Sequence, residues 1–495
     1  MPILGHWLTR GPVRPCCART KLSIDSSPRN RYKQDQSANH KRNPEPTPDE
    51  MGKTVNPARD ALVCLIVVGS CAFAQNVPAG KYNGPGGCAS SSCHGSIQPK
   101  QVTRVAQNEY TIWAGQDKHS RAYQVLSSAV SMRIGTILKI GRPDQAQKCL
   151  ACHALSVPSD QRAETFDLID GVSCESCHGP ASGWLGPHTT KNWPHEKSVQ
   201  LGMYDTRDLV KRSERCLTCH LGTPEKFVDH EMIAAGHPDL TFELNLFSAV
   251  MPKHWKEPPE EGWRGVQVWG VGEAVQLQKG LERLARRASS PAWPEYGELD
   301  CFACHHSLTK PEDSWRQELG YAGRQPGVPA WNESRYVIFR HVAGKINADA
   351  ATQLDSDIKK LAELLGQHNG NPQEISATAN RAAAVAGQFA QQLNSKTYDA
   401  AFTLALMRAI AQDGDSISAH GQRAAEQAAM SLDSLFNAYK QGTNDSGAEL
   451  HELINGLFEQ VDNPSAYNGP RFAAQMQKVS SALSRFSEVV KASQR

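Results

Sequence analysis

Four times in this chain two cysteines stand three positions apart with a histidine directly after the second. The runs are Cys149-Leu150-Ala151-Cys152-His153, Cys174-Glu175-Ser176-Cys177-His178, Cys216-Leu217-Thr218-Cys219-His220 and Cys301-Phe302-Ala303-Cys304-His305. A fifth set is stretched, with Cys88 and Cys93 followed by His94. Chance would supply roughly 0.01 C-x-x-C-H runs from these residue frequencies, so four of them are a signal. The chain has 14 cysteines; Cys16, Cys17, Cys64 and Cys71 precede residue 75, and the other ten all belong to these five sets. None is left over for a disulfide.

The spacing suits one chemistry. Two thiols can add across the two vinyl groups on one edge of a haem and fix the ring to a short loop, and the next residue then offers its imidazole to the iron. Structural zinc also uses paired cysteines, but it does not demand histidine after each second cysteine. A thioredoxin-like C-x-x-C needs a βαβ context that is missing. Disulfides would leave the five C-H endings unexplained. The expectation is five covalent haems c, with His94, His153, His178, His220 and His305 as proximal ligands. For the stretched set, single attachment through Cys93 is the rival.

Five irons need up to five distal ligands. Between residues 75 and 310 the remaining histidines are His119, His188, His195, His230, His237, His254 and His306. His119 follows Tyr110 and Trp113 and precedes Tyr123 and Leu126, a spacing that predicts one amphipathic helix. His188 lies in the Gly/Pro-rich loop beyond His178, and Gly236 beside His237 lets the backbone come close. His230 and His254 rank next. His195 and His306 read as structural or as propionate partners. Met132 and Met251 are weaker alternatives that would raise the potential.

These residues need elements to hold them. The predicted class is mainly α: a multihaem cytochrome c domain over residues 75–310 with little regular sheet, then an α-helical domain. One helical stretch, Val271 to Ala288, is expected before a Gly/Pro-rich connection over residues 311–331. Residues 332–495 contain no cysteine and have strong helical period, with about six helices in a bundle. Phe472, Met476, Val479, Leu483, Phe486 and Val490 form one apolar stripe; Leu432, Leu435, Phe436 and Tyr439 form another. Asn371-Pro372 is a helix start, while 442–447 and Asn463-Pro464 are breaks. His341, His368, His420 and His451 read as ordinary polar residues.

Residues 1–50 read as disordered or as a misassigned start. Residues 51–74 read as a secretory signal peptide: Lys53 and Arg59, an apolar run, then Ala72-Phe73-Ala74. Cys71, after Val68-Gly69-Ser70, is a rival lipid-anchor site. Either reading exports the chain, to the periplasm. The formal net charge is +2, and residues 1–74 hold eleven Lys and Arg against six Asp and Glu, so the mature polypeptide is near −3. No basic block with interleaved aromatics suggests nucleic acid. The apolar run is too short to span a membrane.

Trp113 with His119, the segment Gly171 to Pro180 around the third motif, and Ala234 to Pro238 resemble the multihaem cytochromes of the cytochrome c-554 type. That family's haem core also looks like the one shared by hydroxylamine oxidoreductases and pentahaem nitrite reductases. The resemblance spans roughly residues 85–310. It implies a periplasmic electron carrier with mostly bis-histidine haems, and it matches His119, His188 and His237 to distal positions. The family's type member has four haems, and here there are five sets. No C-x-x-C-K motif is present. One family member carries an open haem, so the alternative expectation is an oxidoreductase acting on a small nitrogen or sulfur species. The partners expected are redox proteins or a membrane redox complex, with a homo-oligomer through the C-terminal helices as an option.

Overall fold

The computed structural model describes residues 80–103, 105–255, 263–305, 328–443 and 447–493. The expected N-terminal extension, the signal peptide, Cys71, His306 and most of the 311–331 connection lie outside the described residues, as do the side chains of Phe486 and Val490.

The first part of the described chain is made of short helices joined by long loops: α1 (Glu109–Gln116), α2 (Ala129–Ile137), α3 (Gln147–His153), α4 (Cys174–His178), α5 (His195–Gln200), α6 (Leu209–His220), α7 (His230–Ala235) and α8 (Leu244–Val250). Each C-x-x-C-H run over residues 149–220 closes one of these helices, so its cysteines and histidine share about one helical turn. Among the described residues there is no named strand, only the isolated bridges Tyr82 with Arg162 and Leu299 with Trp331. The mainly α class stands.

Long helices follow: α9 (Arg264–Ala288), α10 (Ser334–Ile346), α11 (Ala348–Leu365), α12 (Pro372–Ser395), α13 (Ala400–Gln412), α14 (Gly414–Ala419), α15 (Gln422–Thr443), α16 (Ala448–Val461) and α17 (Gly469–Ser493). Among the described residues beyond 332 there are thus eight α-helices rather than about six. The extra boundaries fall at Asn347 and Asp413, single residues that separate α10 from α11 and α13 from α14. The Asn347 side chain accepts from the Ala350 N–H and restarts the helix without a glycine or proline to mark it. Asn371 caps α12 as expected, accepting from Gln373 and Glu374 with Pro372 in the first turn.

Helix α9 is buried on nearly all sides, with Val266, Trp269, Val271, Ala274, Val275, Leu281 and Ala285 among its inaccessible residues. It packs chiefly on α12 and also on α6, α15, α10 and α8. Both expected stripes are in the core: Leu432, Leu435, Phe436 and Tyr439 on α15, and Phe472, Met476, Val479 and Leu483 on α17. One apolar cluster runs from Leu209 on α6 to Leu483 on α17, so the helix carrying the fourth motif and the bundle share a core.

Candidate haem-binding site

His119 does not sit on a helix with Trp113. Helix α1 stops at Asp117, whose carboxylate accepts from the His119 backbone N–H at 3.0 Å and turns the chain into a 3-10 turn, Lys118–Arg121. The same oxygen holds the His119 ring through Nδ1 at 2.9 Å. Burial pushes the Asp117 carboxyl up, but the His119 contacts outweigh it and hold it below its usual range. Val172 N–H donates to the His119 carbonyl at 3.1 Å, and Trp113 Nε1 donates to the Val172 carbonyl at 3.1 Å. Gly171 between them has φ 67°, and a Cβ there would meet the His119 carbonyl oxygen at 3.0 Å.

Four motif histidines each face a second histidine. The ring centroids of His94 and His188 are 6.2 Å apart and nearly parallel, at 4°. His220 faces His119 at 6.2 Å and 90°. His153 faces His237 at 6.3 Å and 87°, and His305 faces His230 at 6.1 Å and 26°. Two imidazoles on opposite sides of one iron, each nitrogen about 2 Å from the metal and about 1 Å from its ring centre, have centroids about 6 Å apart. The four pairs therefore fit a shared iron. No ring contact joins His178 to another histidine among the described residues; His254 is its strongest electrostatic neighbour among them.

The ring nitrogens are oriented for the same task. Nδ1 is held by Glu109 in His94 (2.9 Å), by the Ala122 carbonyl in His153 (3.0 Å), by the Leu185 carbonyl in His188 (2.6 Å) and by the Pro238 carbonyl in His237 (2.8 Å). His254 is held likewise by the Pro252 carbonyl at 3.2 Å. Fixing Nδ1 leaves Nε2 as the coordinating atom. Burial pulls His178 and His220 down to about 4, which keeps each imidazole neutral with its lone pair free. His195 differs: its Nε2 is taken by Asp205 at 3.0 Å, in keeping with a structural role.

The ten cysteines, Cys88, Cys93, Cys149, Cys152, Cys174, Cys177, Cys216, Cys219, Cys301 and Cys304, are all free of disulfides. Among the described residues no three His, Cys, Asp or Glu side chains converge as a zinc site would require. Thiols of different motifs touch: Cys88 with Cys174, and Cys152 with Cys219. Cys177 and Cys216 also interact electrostatically.

One positioning residue is invisible to motif reading. Glu175, a spacer position in the third motif, is buried and accepts from the backbone N–H groups of Asn83 (3.0 Å), Gly84 (2.7 Å) and Ala181 (2.7 Å). It fastens the segment before Cys88 onto the third motif.

Residues 88–179 match the family of cytochrome c554 and c-prime. Cytochrome c-554 of Nitrosomonas europaea is 33% identical over 95 residues, 17% of this chain and 39% of that protein, so the chain spans about two fifths of that relative's length. No solved structure matches the chain. The matched segment holds three of the five cysteine sets together with His119, and with the two further C-x-x-C-H motifs the chain is similar to the multihaem c-type cytochromes of the c554 kind.

Proposed function

We propose that the chain is an exported, periplasmic pentahaem cytochrome that relays electrons through mostly bis-histidine haems. The observation that carries this reading is the set of four facing histidine pairs at 6.1–6.3 Å, each joining a motif histidine to a distal one. Haem c supplies a one-electron Fe(III)/Fe(II) couple at each attachment site. The protein holds each ring at two thiols, fixes the ligand imidazoles by their Nδ1 partners, and brings the attachment loops together. Thiol contacts join the first motif to the third and the fourth to the second, and the third and fourth are linked by the electrostatic influence of Cys216 on Cys177. His237, facing the second motif, and His230, facing the fifth, flank the same short helix α7. A relay order of first, third, fourth, second and fifth motif follows. The partner is a redox protein or a membrane redox complex, and the C-terminal helices serve for docking or for pairing of two copies.

A second reading has one observation in its favour: His178 has no facing histidine ring among the described residues. If His254 does not bind there, that iron is open, and the protein would act on a small nitrogen or sulfur species at it.

Intact mass and EPR test both. The mass should exceed the Gln75–Arg495 polypeptide by five haems; four would remove the stretched set. Parallel imidazoles donate into one iron dπ orbital and split it from its partner, whereas perpendicular imidazoles leave the two nearly degenerate and give greater g anisotropy. Two perpendicular pairs (90° and 87°) and two nearer parallel (4° and 26°) should therefore give two classes of low-spin signal. A high-spin centre that binds nitric oxide or nitrite would favour the enzyme. A single low-spin class would contradict the pairing.

A further inference from the structure

His220 lines a cavity whose other walls come from α9, α10, α15 and the loop after α7. Its charged lining consists of Asp239, Arg283, Arg335 and Arg423, and the neutral imidazole of His220 stands beside them. Two of the arginines are matched. Arg283 holds Glu298 through Nε at 2.7 Å and Nη2 at 2.9 Å, and Arg423 pairs with Asp239 and donates from Nη1 to the Gly297 carbonyl at 3.1 Å. Arg335 is different: among the described residues no carboxylate pairs with it, and its Nε is buried without a hydrogen-bond partner. Burial, then the neighbouring Arg283 and Arg423 cations, pull it down to about 10 against the Glu298 and Asp239 carboxylates, which are already engaged by those two arginines. A guanidinium in that position is costly unless an anion joins it. Arg335 also stands in the first turn of α10, beside Ser334, where the helix dipole favours negative charge.

We infer that this cavity is a carboxylate site, built by bundle helices and filled by a propionate of the haem that His220 holds. The inference rests on the reading that His220 ligates a haem, since His220 is the one motif histidine in the cavity wall. Arg335 is then a positioning residue through which the bundle tunes one iron: its cation offsets the propionate charge, and removing it favours the ferric state.

The test is an EPR-monitored redox titration of the holoprotein carrying Arg335→Gln or Arg335→Lys. Peptide mass across Cys216–Cys219 is checked first; absence of haem there defeats the ligation reading rather than this inference. With the haem present, Arg335→Gln is expected to move one perpendicular-class haem to lower potential and leave the parallel class unmoved. Arg335→Lys should give a smaller shift in the same direction, and it serves alone if the glutamine variant does not mature. Unchanged potentials would overturn the site, as would a shift confined to the parallel class, which contains the His230 and His305 pair. So would a wild-type potential that follows added acetate or nitrite while Arg335→Gln in anion-free buffer changes nothing, because the occupant would then be a free anion.

Discussion

His119 carries two jobs that separate under mutation. Its ring faces His220, while its backbone accepts from Val172 next to the third motif. Replacing it by alanine removes the ring and keeps the backbone contact. His119→Ala should therefore retain every covalent haem by mass while one perpendicular-class low-spin signal gives way to a high-spin centre. If all haems stay low-spin, the pairing with His220 is wrong. Glu175 makes the opposite kind of contribution, standing outside the histidine pairs yet accepting from three backbone N–H groups, two of them in buried hydrogen bonds. Glu175→Gln turns an amide NH2 toward those donors and leaves at least one unsatisfied, at a cost of about 1–3 kcal/mol. A lowered thermal midpoint with unchanged EPR classes is the expected result; an unchanged midpoint would show that the segment from Asn83 is held by other means.

The elements differ in how tightly they must approach. Gly272 on α9 lies against α8, and a Cβ built there would meet Leu244 Cβ at 2.6 Å, where both residues are buried. Gly272→Ala gains helix propensity, worth under about 1 kcal/mol, but forces α8 outward at about 1–3 kcal/mol, so net destabilisation is expected in denaturant unfolding. Gly344 on α10 meets nothing within 4 Å, and the same substitution there should be neutral or stabilising, which makes it the control. The motif cysteines and histidines, and their grouping at helix ends over residues 149–220, were legible in the sequence because C-x-x-C-H is a local pattern completed in little more than one turn of helix. The helix starts at Asn371-Pro372 and the buried stripe of α17 were legible for the same reason. The break at Asp117 was not: an apolar period continues across it, and only the cap to His119 shows that α1 has ended. The histidine pairings were not legible either, because their members lie far apart in the chain and meet only through tertiary packing. Glu175 sits at a spacer position that any residue type can fill, so only the folded contacts reveal what it holds.

At the scale of the molecule, the continuous core from α6 to α17 makes stability a shared property of the motif-bearing helices and the bundle. Buried carboxylates are set into that joint. Glu426 on α15 is the clearest: burial, then the nearby Asp239 carboxylate, push it up to about 7, against a hydrogen bond from Gln422 at 3.2 Å and the opposing Arg423 cation. Its folded value lies above the ordinary 4.5, so between these two values the native chain keeps a proton that the unfolded chain releases. Stability from this group is fully present below about pH 4.5 and is lost as pH rises through about 7, at up to roughly a kcal/mol per pH unit within the window. Acids held below their usual range, such as Asp413 and Glu298, act at lower pH and in the opposite direction, and buried histidines such as His420 oppose the trend below about 6.5. A wild-type profile alone would mix these contributions, so the informative quantity is a difference. Glu426→Gln keeps the shape and the hydrogen-bonding carbonyl but has no proton to lose. Its thermal midpoint relative to wild type should rise from about pH 4.5 to about pH 7 and level off on either side. A difference that stays flat across that range would mean that Glu426 is ionised in the folded protein, stabilised by Arg423 more strongly than burial and Asp239 oppose it.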